Sequence, residues 1–356
     1  MRVDQWRRRA ILLVALIAIL LLAGADGVPP LPRPALAPPK AVPPAIVSMG
    51  DSTISGEGAG DYVAGTDGQN GDWCHRSTDA EINKVSLPGG VKQLNLACSG
   101  ADSSDVGLGK AVHYTEPAQA TRLALIARQY RIQAIVVATG ANDDPQFANT
   151  LTSCVQAWFS SGNPGCSANF DHIWQRRVDL MVPKVVNTLR DIRRAMTGAG
   201  YAPGSYQLVL QSYAAPLGPD VAAGYQNLNG CPLRSTDLEW IRDTGVVMLD
   251  DGLHRAATQA GVRYLDLDKA GLGHEACSGG ANPSNEWFTR LTVAWQDLQT
   301  DNRASHALQQ SFHPNARGQA AFGECLAAFL GTDDEAASCL SGADGTLRPA
   351  AIIPSG

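Results

Sequence analysis

Charge is scarce in this chain: Asp, Glu, Lys and Arg make up 17% of its 356 residues, and basic residues crowd together only within the first nine. Counterion release from phosphates needs grouped Lys and Arg, so no nucleic-acid partner is expected. Removing residues 1–25 would take away four Arg and one Asp, moving the formal charge from −6 to −9. Metal-type spacing is missing too. None of the eight cysteines stands in a CxxC pair or in a Cys/His cluster that suits zinc, so neither a metal nor a cofactor is expected. No internal repeat is visible. What is present is core-forming material: 44% hydrophobic residues and seven Trp, enough for a chain that folds on its own.

The N-terminus reads as an export signal. Arg2, Arg7, Arg8 and Arg9 precede an apolar run from Ala10 to Ala23, and Ala23-Gly24-Ala25 fits a small-residue cleavage site, giving a signal peptide over residues 1–25. Fourteen apolar residues fall short of the ~20 that cross a bilayer core, although an uncleaved anchor is the alternative. No cysteine follows the run to accept a lipid, and the arginines do not choose between export routes. Residues 26–44 form a Pro-rich linker: Val28 to Pro44 carries eight prolines in seventeen residues, a stiff extended spacer or a featureless tail. One domain is expected over residues 45–335, with a C-terminal tail at 336–356. In an exported chain an even cysteine count implies disulfides, here among Cys74, Cys98, Cys154, Cys166, Cys231, Cys277, Cys325 and Cys339. Sequential pairing is expected because each neighbouring pair brackets a loop, though composition leaves the connectivity open.

Five short apolar runs rich in β-branched residues stand at Ala45 to Met49, Val91 to Leu96, Ala134 to Thr139, Tyr206 to Gln211 and Val262 to Leu267. Helical periodicity fills the gaps. Val178, Met181, Val182, Val185, Val186, Leu189, Ile192 and Met196 make one apolar stripe ending near Gly198 and Gly200; further helices are predicted at about Asp237 to Ala260 and Ala316 to Leu330. Strands alternating with helices predict an α/β fold whose parallel sheet is covered on both faces.

In such sheets functional groups gather beyond the carboxyl ends of the strands. Four polar cues sit at such places: Ser52 in Gly50-Asp51-Ser52, Gly100 in Cys98-Ser99-Gly100-Ala101, Asn142 in Gly140-Ala141-Asn142-Asp143, and His313 in Ser311-Phe312-His313-Pro314-Asn315. Each alone is an ordinary turn or helix entry. In this chain order they resemble the SGNH hydrolases, the GDSL esterase and lipase family, over about residues 45–330. Trp73-Cys74-His75-Arg76-Ser77 and Asn95-Leu96-Ala97-Cys98-Ser99-Gly100 resemble its secreted bacterial lipases. The resemblance implies a three-layer α/β/α sandwich with a five-stranded parallel sheet of order 2-1-3-4-5, which would bring Ser52, Gly100 and Asn142 to one point.

The resemblance also implies a chemistry. Ser52 would be the nucleophile of an ester hydrolase, with His313 as its base near neutral pH, and the Ser52 and Gly100 backbone N–H groups with the Asn142 amide would receive the oxyanion. The family pattern usually has Asp three residues before the histidine; here Gln310 stands there. A Ser52–His313 dyad oriented by the main-chain carbonyl of Gln310 or Ser311 is therefore expected, as in some secreted members of the family. The remaining histidines, His75, His113, His172, His254, His274 and His306, show no ligand spacing and receive no role. Ser55 to Asp72 is either a mobile lip of the cleft or a plain loop pinned by Cys74. Asp268 to Gln310, with Trp287, Phe288 and Trp295, either walls an acyl pocket or caps the core. A secreted or cell-envelope-associated monomer acting on a small or lipid-like ester is expected. The alternatives are an O-acyl esterase or acyltransferase for carbohydrate or cell-envelope glycans, and a catalytically silent surface binding module.

Overall fold

The computed structural model describes residues 42–109, 112–160, 162, 164–299, 303 and 306–352. The expected signal peptide, and the Pro-rich linker up to residue 41, lie outside the described residues. Among the described residues no helix is long and apolar enough to cross a membrane.

The central sheet begins with five parallel strands: β1 (Pro44–Gly50), β2 (Lys92–Asn95), β3 (Arg131–Ala138), β4 (Gln207–Gln211) and β5 (Arg263–Asp266). Their spatial order is β2-β1-β3-β4-β5, as expected. Val47, Ile135, Val136, Val209 and Leu265 are fully buried, because a parallel sheet with helices on both faces leaves no strand face to water. One face carries α6 (Ser167–Gly198) and α8 (Val247–Ala260), packed on each other. The other carries α2 (Glu81–Lys84) against α9 (Ala316–Leu330). All eight residues of the predicted apolar stripe lie buried on α6. The predicted helix at 237–260 begins two residues earlier, as α7 (Ser235–Trp240), and reaches α8 through a π-helical stretch at Ile241–Val246.

The sheet has seven strands rather than five. The segment expected to be a C-terminal tail contains β6 (Ala336–Ser341), parallel to β5, and β7 (Leu347–Ala350), antiparallel to β6. Ala336-Ala-Ser-Cys-Leu-Ser is poor in β-branched residues; its strand state comes from pairing with the sheet edge. Four disulfides, Cys74–Cys98, Cys154–Cys166, Cys231–Cys277 and Cys325–Cys339, join neighbours in sequence, and the last ties α9 to β6.

A buried carboxyl lies at the start of α2. Burial pushes Glu81 from 4.5 up to about 7, against the lowering effect of its bond from Gln211 Nε2 (2.8 Å). Glu81 Oε1 and Gln211 Oε1 have no hydrogen-bond partner, and a proton on Glu81 turns one of these acceptors into a donor. A raised folded-state pKa means that its stabilising contribution is complete below pH 4.5 and lost as pH rises through about 7. Glu81→Gln, neutral at every pH, is expected to reduce that loss, a difference on the order of 3 kcal/mol at most. Its Tm relative to wild type should rise between pH 5 and pH 8 in thermal melts; a constant difference would show that Glu81 ionises without cost.

Candidate active site

Because β1 lies between β2 and β3, the chain leaves three adjacent strand ends at the same edge. Ser52 opens the short helix α1 (Ser52–Ser55) directly after β1, and Asp51 caps it by accepting from the Thr53 N–H at 3.1 Å. Tyr213 Oη donates to the other Asp51 oxygen at 2.5 Å. Burial drives the Asp51 carboxyl up to about 7 despite these bonds. The residue before Ser52 is thus held from both sides. Gln119 adds a second clamp: its amide bonds the Gly50 N–H and C=O, each at 2.7 Å.

Gly100 follows β2 with φ +78°, a conformation that favours glycine. Asn142 follows β3 and donates one amide hydrogen to Ala101 O at 3.0 Å, which binds the two loops together. Its neighbour Asp143 strengthens this by accepting from Ser103 Oγ at 2.6 Å and from the Ser103 N–H at 3.3 Å. Asp143 is pushed up to about 6, chiefly by burial.

His313 comes from the far end of the chain, just before α9. Its Nε2 stands 2.8 Å from Ser52 Oγ, and its Nδ1 faces Ser311 O at 3.2 Å. Of the two carbonyls expected to orient the ring, the one at Gln310 is already engaged by Thr289 Oγ1, at 2.5 Å, and that hydroxyl also receives the His313 N–H at 3.2 Å. Ser311 is left for the imidazole. Phe312, between them, takes φ +61°, a strained value for an aromatic residue. Burial holds the His313 imidazole below its usual 6.5, offset only in part by Glu57 and the Ser311 carbonyl. Gln310→Ala is expected to keep kcat/KM within about threefold of wild type, since only the main chain is used. A loss comparable to that of His313→Ala would move the orienting role to the Gln310 side chain.

Ser52, Gly100, Asn142 and His313 all line one cavity of about 480 Å³. Its apolar walls are Phe147, Leu151 and Val155 from α5 (Phe147–Phe159), with Phe288, Leu291 and Phe312, and polar groups such as Asn149, Thr152 and Gln309 stand among them. The segment expected either to wall a pocket or to cap the core therefore does both. Phe288 faces the cavity, Trp287 is buried against His274, and Trp295 points to solvent at 71% exposure. None of residues 55–72 lines the cavity; this loop is tied down by a bridge between Tyr62 and Ser77.

The sequence reading missed several polar groups around the site. His75 Nδ1 meets the fully buried carboxylate of Glu57 at 2.7 Å, His113 Nε2 donates to Ser99 O at 2.8 Å, and His306 stacks on Trp73 at 4.0 Å. An acid set among glycines in Ser55-Gly56-Glu57-Gly58, directly after the nucleophile candidate, was the available signal.

The fold and strand-end geometry are those of an SGNH-type α/β/α hydrolase. Residues 48–321 match the GDSL-like lipase/acylhydrolase family. The chain is 25% identical over 290 residues to Lipase 2 of Streptomyces coelicolor, covering 81% of this chain and 86% of that protein. Two solved structures share the fold. A phospholipase A1 from Streptomyces albidoflavus aligns with TM-score 0.54 and 24% identity over 81% of this chain and 98% of its own. An extracellular lipase from Streptomyces rimosus aligns with TM-score 0.50 and 21% identity over 82% and 100%. The chain belongs to the GDSL-like lipase/acylhydrolase family and is a carboxylic ester hydrolase.

Proposed function

We propose that this protein is a secreted esterase or lipase that cleaves esters of aliphatic acids through an acyl-Ser52 intermediate. The observation that carries the reading is the 2.8 Å contact of His313 Nε2 with Ser52 Oγ, while Nδ1 is turned to a backbone carbonyl. That tautomer leaves Nε2 free to accept the serine proton. Ser52 Oγ attacks the ester carbonyl carbon as its proton passes to His313. The oxyanion meets the N–H groups of Ser52 and Gly100 and the free amide hydrogen of Asn142. Collapse expels the alcohol with the proton from His313, and water then cleaves the acyl-serine by the same steps. Four disulfides suit an exported enzyme.

The aromatic and aliphatic walls favour an alkyl chain over the acetyl group of a decorated glycan. A chain-length series of p-nitrophenyl esters run beside an acetylated glycan tests this; faster release from the glycan than from any alkyl ester would overturn it. A fluorophosphonate probe should label wild type and not Ser52→Ala, and an unlabelled wild type would overturn Ser52 as the nucleophile. The base works when neutral, so the rate should fall only as pH drops below the ordinary imidazole value of 6.5.

A further inference from the structure

The residue that would normally supply a carboxylate to the histidine is Gln310, yet a carboxylate is built into the site from another direction. Glu57 lies in the turn after α1 and is 0% exposed. It is gripped by three other segments: His75 Nδ1 at 2.7 Å, Ser99 Oγ donating at 2.5 Å, and Gln309 Nε2 donating at 2.9 Å. Tyr62 donates to it more weakly at 3.3 Å and stacks on His75 with ring centroids 4.3 Å apart. These partners are not scattered. Ser99 precedes Gly100, and Gln309 belongs to the turn that presents His313. The backbone following Glu57 also runs against the histidine itself: a Cβ on Gly58, whose φ is +83°, would stand 2.9 Å from the Cβ of His313.

We infer that Glu57 is a positioning residue of the ester-hydrolysis site, whose buried negative charge supports the His313 imidazolium in place of a carboxylate at residue 310. The inference rests on the proposed roles of Ser52 and His313. A charge desolvated to this degree is expensive, so its retention beside a proton acceptor calls for compensation. Burial alone would raise the Glu57 pKa, but the bond and charge of His75, the charge of His313 and the Ser99 hydroxyl outweigh it and hold the carboxyl ionised. His75 is the standing partner. Burial lowers its pKa, while Glu57 and Asp67, whose Oδ1 is 3.2 Å from Nε2, together raise it above the usual value.

The charged and titratable groups facing this pair are therefore His75, Asp67, Tyr62 and Tyr114 around Glu57, and Glu57 and His75 around His313. Glu57 favours the imidazolium and His75 opposes it, with Glu57 the stronger. When Ser52 gives up its proton, the new positive charge on His313 thus appears beside a fixed negative one, without solvent having to reorganise.

The test is the pH profile of kcat/KM for a p-nitrophenyl ester in Glu57→Gln and Glu57→Asp, with Ser52→Ala and His313→Ala as controls. Glu57→Gln keeps shape and removes charge. Its acid limb should move to lower pH by about one unit, and kcat should fall about tenfold with KM little changed, because one pKa unit is one factor of ten in imidazolium stability. Glu57→Asp, which keeps the charge, should recover most of both. A folded Glu57→Gln with an unmoved limb overturns the inference, whatever its kcat. If Glu57→Gln does not fold, His75→Gln decides, because it takes away the charge that opposes the His313 imidazolium and holds Glu57 ionised: a shifted acid limb supports the inference, and an unmoved limb overturns it. Activity surviving in Ser52→Ala or His313→Ala would instead overturn the underlying dyad.

Discussion

Ser52→Ala and His313→Ala are each expected to lower kcat/KM for ester hydrolysis by about 10⁴- to 10⁶-fold, and the double variant should be no worse than either single one. In the proposed mechanism the pair acts as a unit. Serine without a base holds its proton at any useful pH, and the imidazole without serine has no covalent role to activate. Both side chains line the cavity and meet at 2.8 Å, and neither supports a large part of the core, so both variants should stay folded. The activity left should come from the groups that bind the ester and receive its oxyanion. Steady-state kinetics beside thermal melts check this. A His313→Ala variant retaining a tenth of the activity would mean that another group takes the serine proton. Among the described residues, the hydrogen bond of Ser52 Oγ is the one with His313.

Much of this site could be read from the chain, and what escaped did so for identifiable reasons. The five inner strands were legible because burial on both faces makes them continuous apolar runs, such as Ala45 to Met49 and Ala134 to Thr139. The placement of Ser52, Gly100, Asn142 and His313 around one cavity was legible because each follows such a run or precedes a clear helix. β6 and β7 were not, because Cys339 and Leu347 gain their burial from tertiary pairing and the disulfide to Cys325, not from local periodicity. The choice between the carbonyls of Gln310 and Ser311 was invisible for a similar reason: it turns on Thr289, a residue of unremarkable context that occupies one of them. Glu57 and His75 are separated by a loop that holds five glycines, and no periodicity links an acid to a histidine across such a stretch. Nothing in the composition announces that both are buried.

Asn142 should show the next largest effect. Asn142→Ala is expected to lower kcat by about 100- to 1000-fold with little change in KM, as removal of one oxyanion donor does elsewhere. The argument depends on how the amide is held. One hydrogen is spent on Ala101 O at 3.0 Å, which fixes the plane of the amide and leaves the other hydrogen for the cavity that Asn142 lines. The loop beneath is braced by Asp143 on Ser103 and by the Ala141 N–H on Tyr213 Oη at 3.4 Å. In the proposed mechanism this donor is in place before substrate arrives, so its benefit falls on the transition state rather than on binding. Asn142→Asp should be worse than Asn142→Ala, because it sets a negative charge where the oxyanion forms. Gly100→Ala offers a contrast: the nearest atom to an added Cβ is Tyr114 Oη at 3.5 Å, so space is available and the cost is that of holding alanine at φ +78°, about 1–2 kcal/mol. That strain can be relieved by turning the Gly100 N–H away from the cavity, and kcat should then fall while the fold survives. If Asn142→Ala and Gly100→Ala both leave kcat within a few-fold of wild type, the oxyanion is received elsewhere, and the two loops serve only to brace the strand ends.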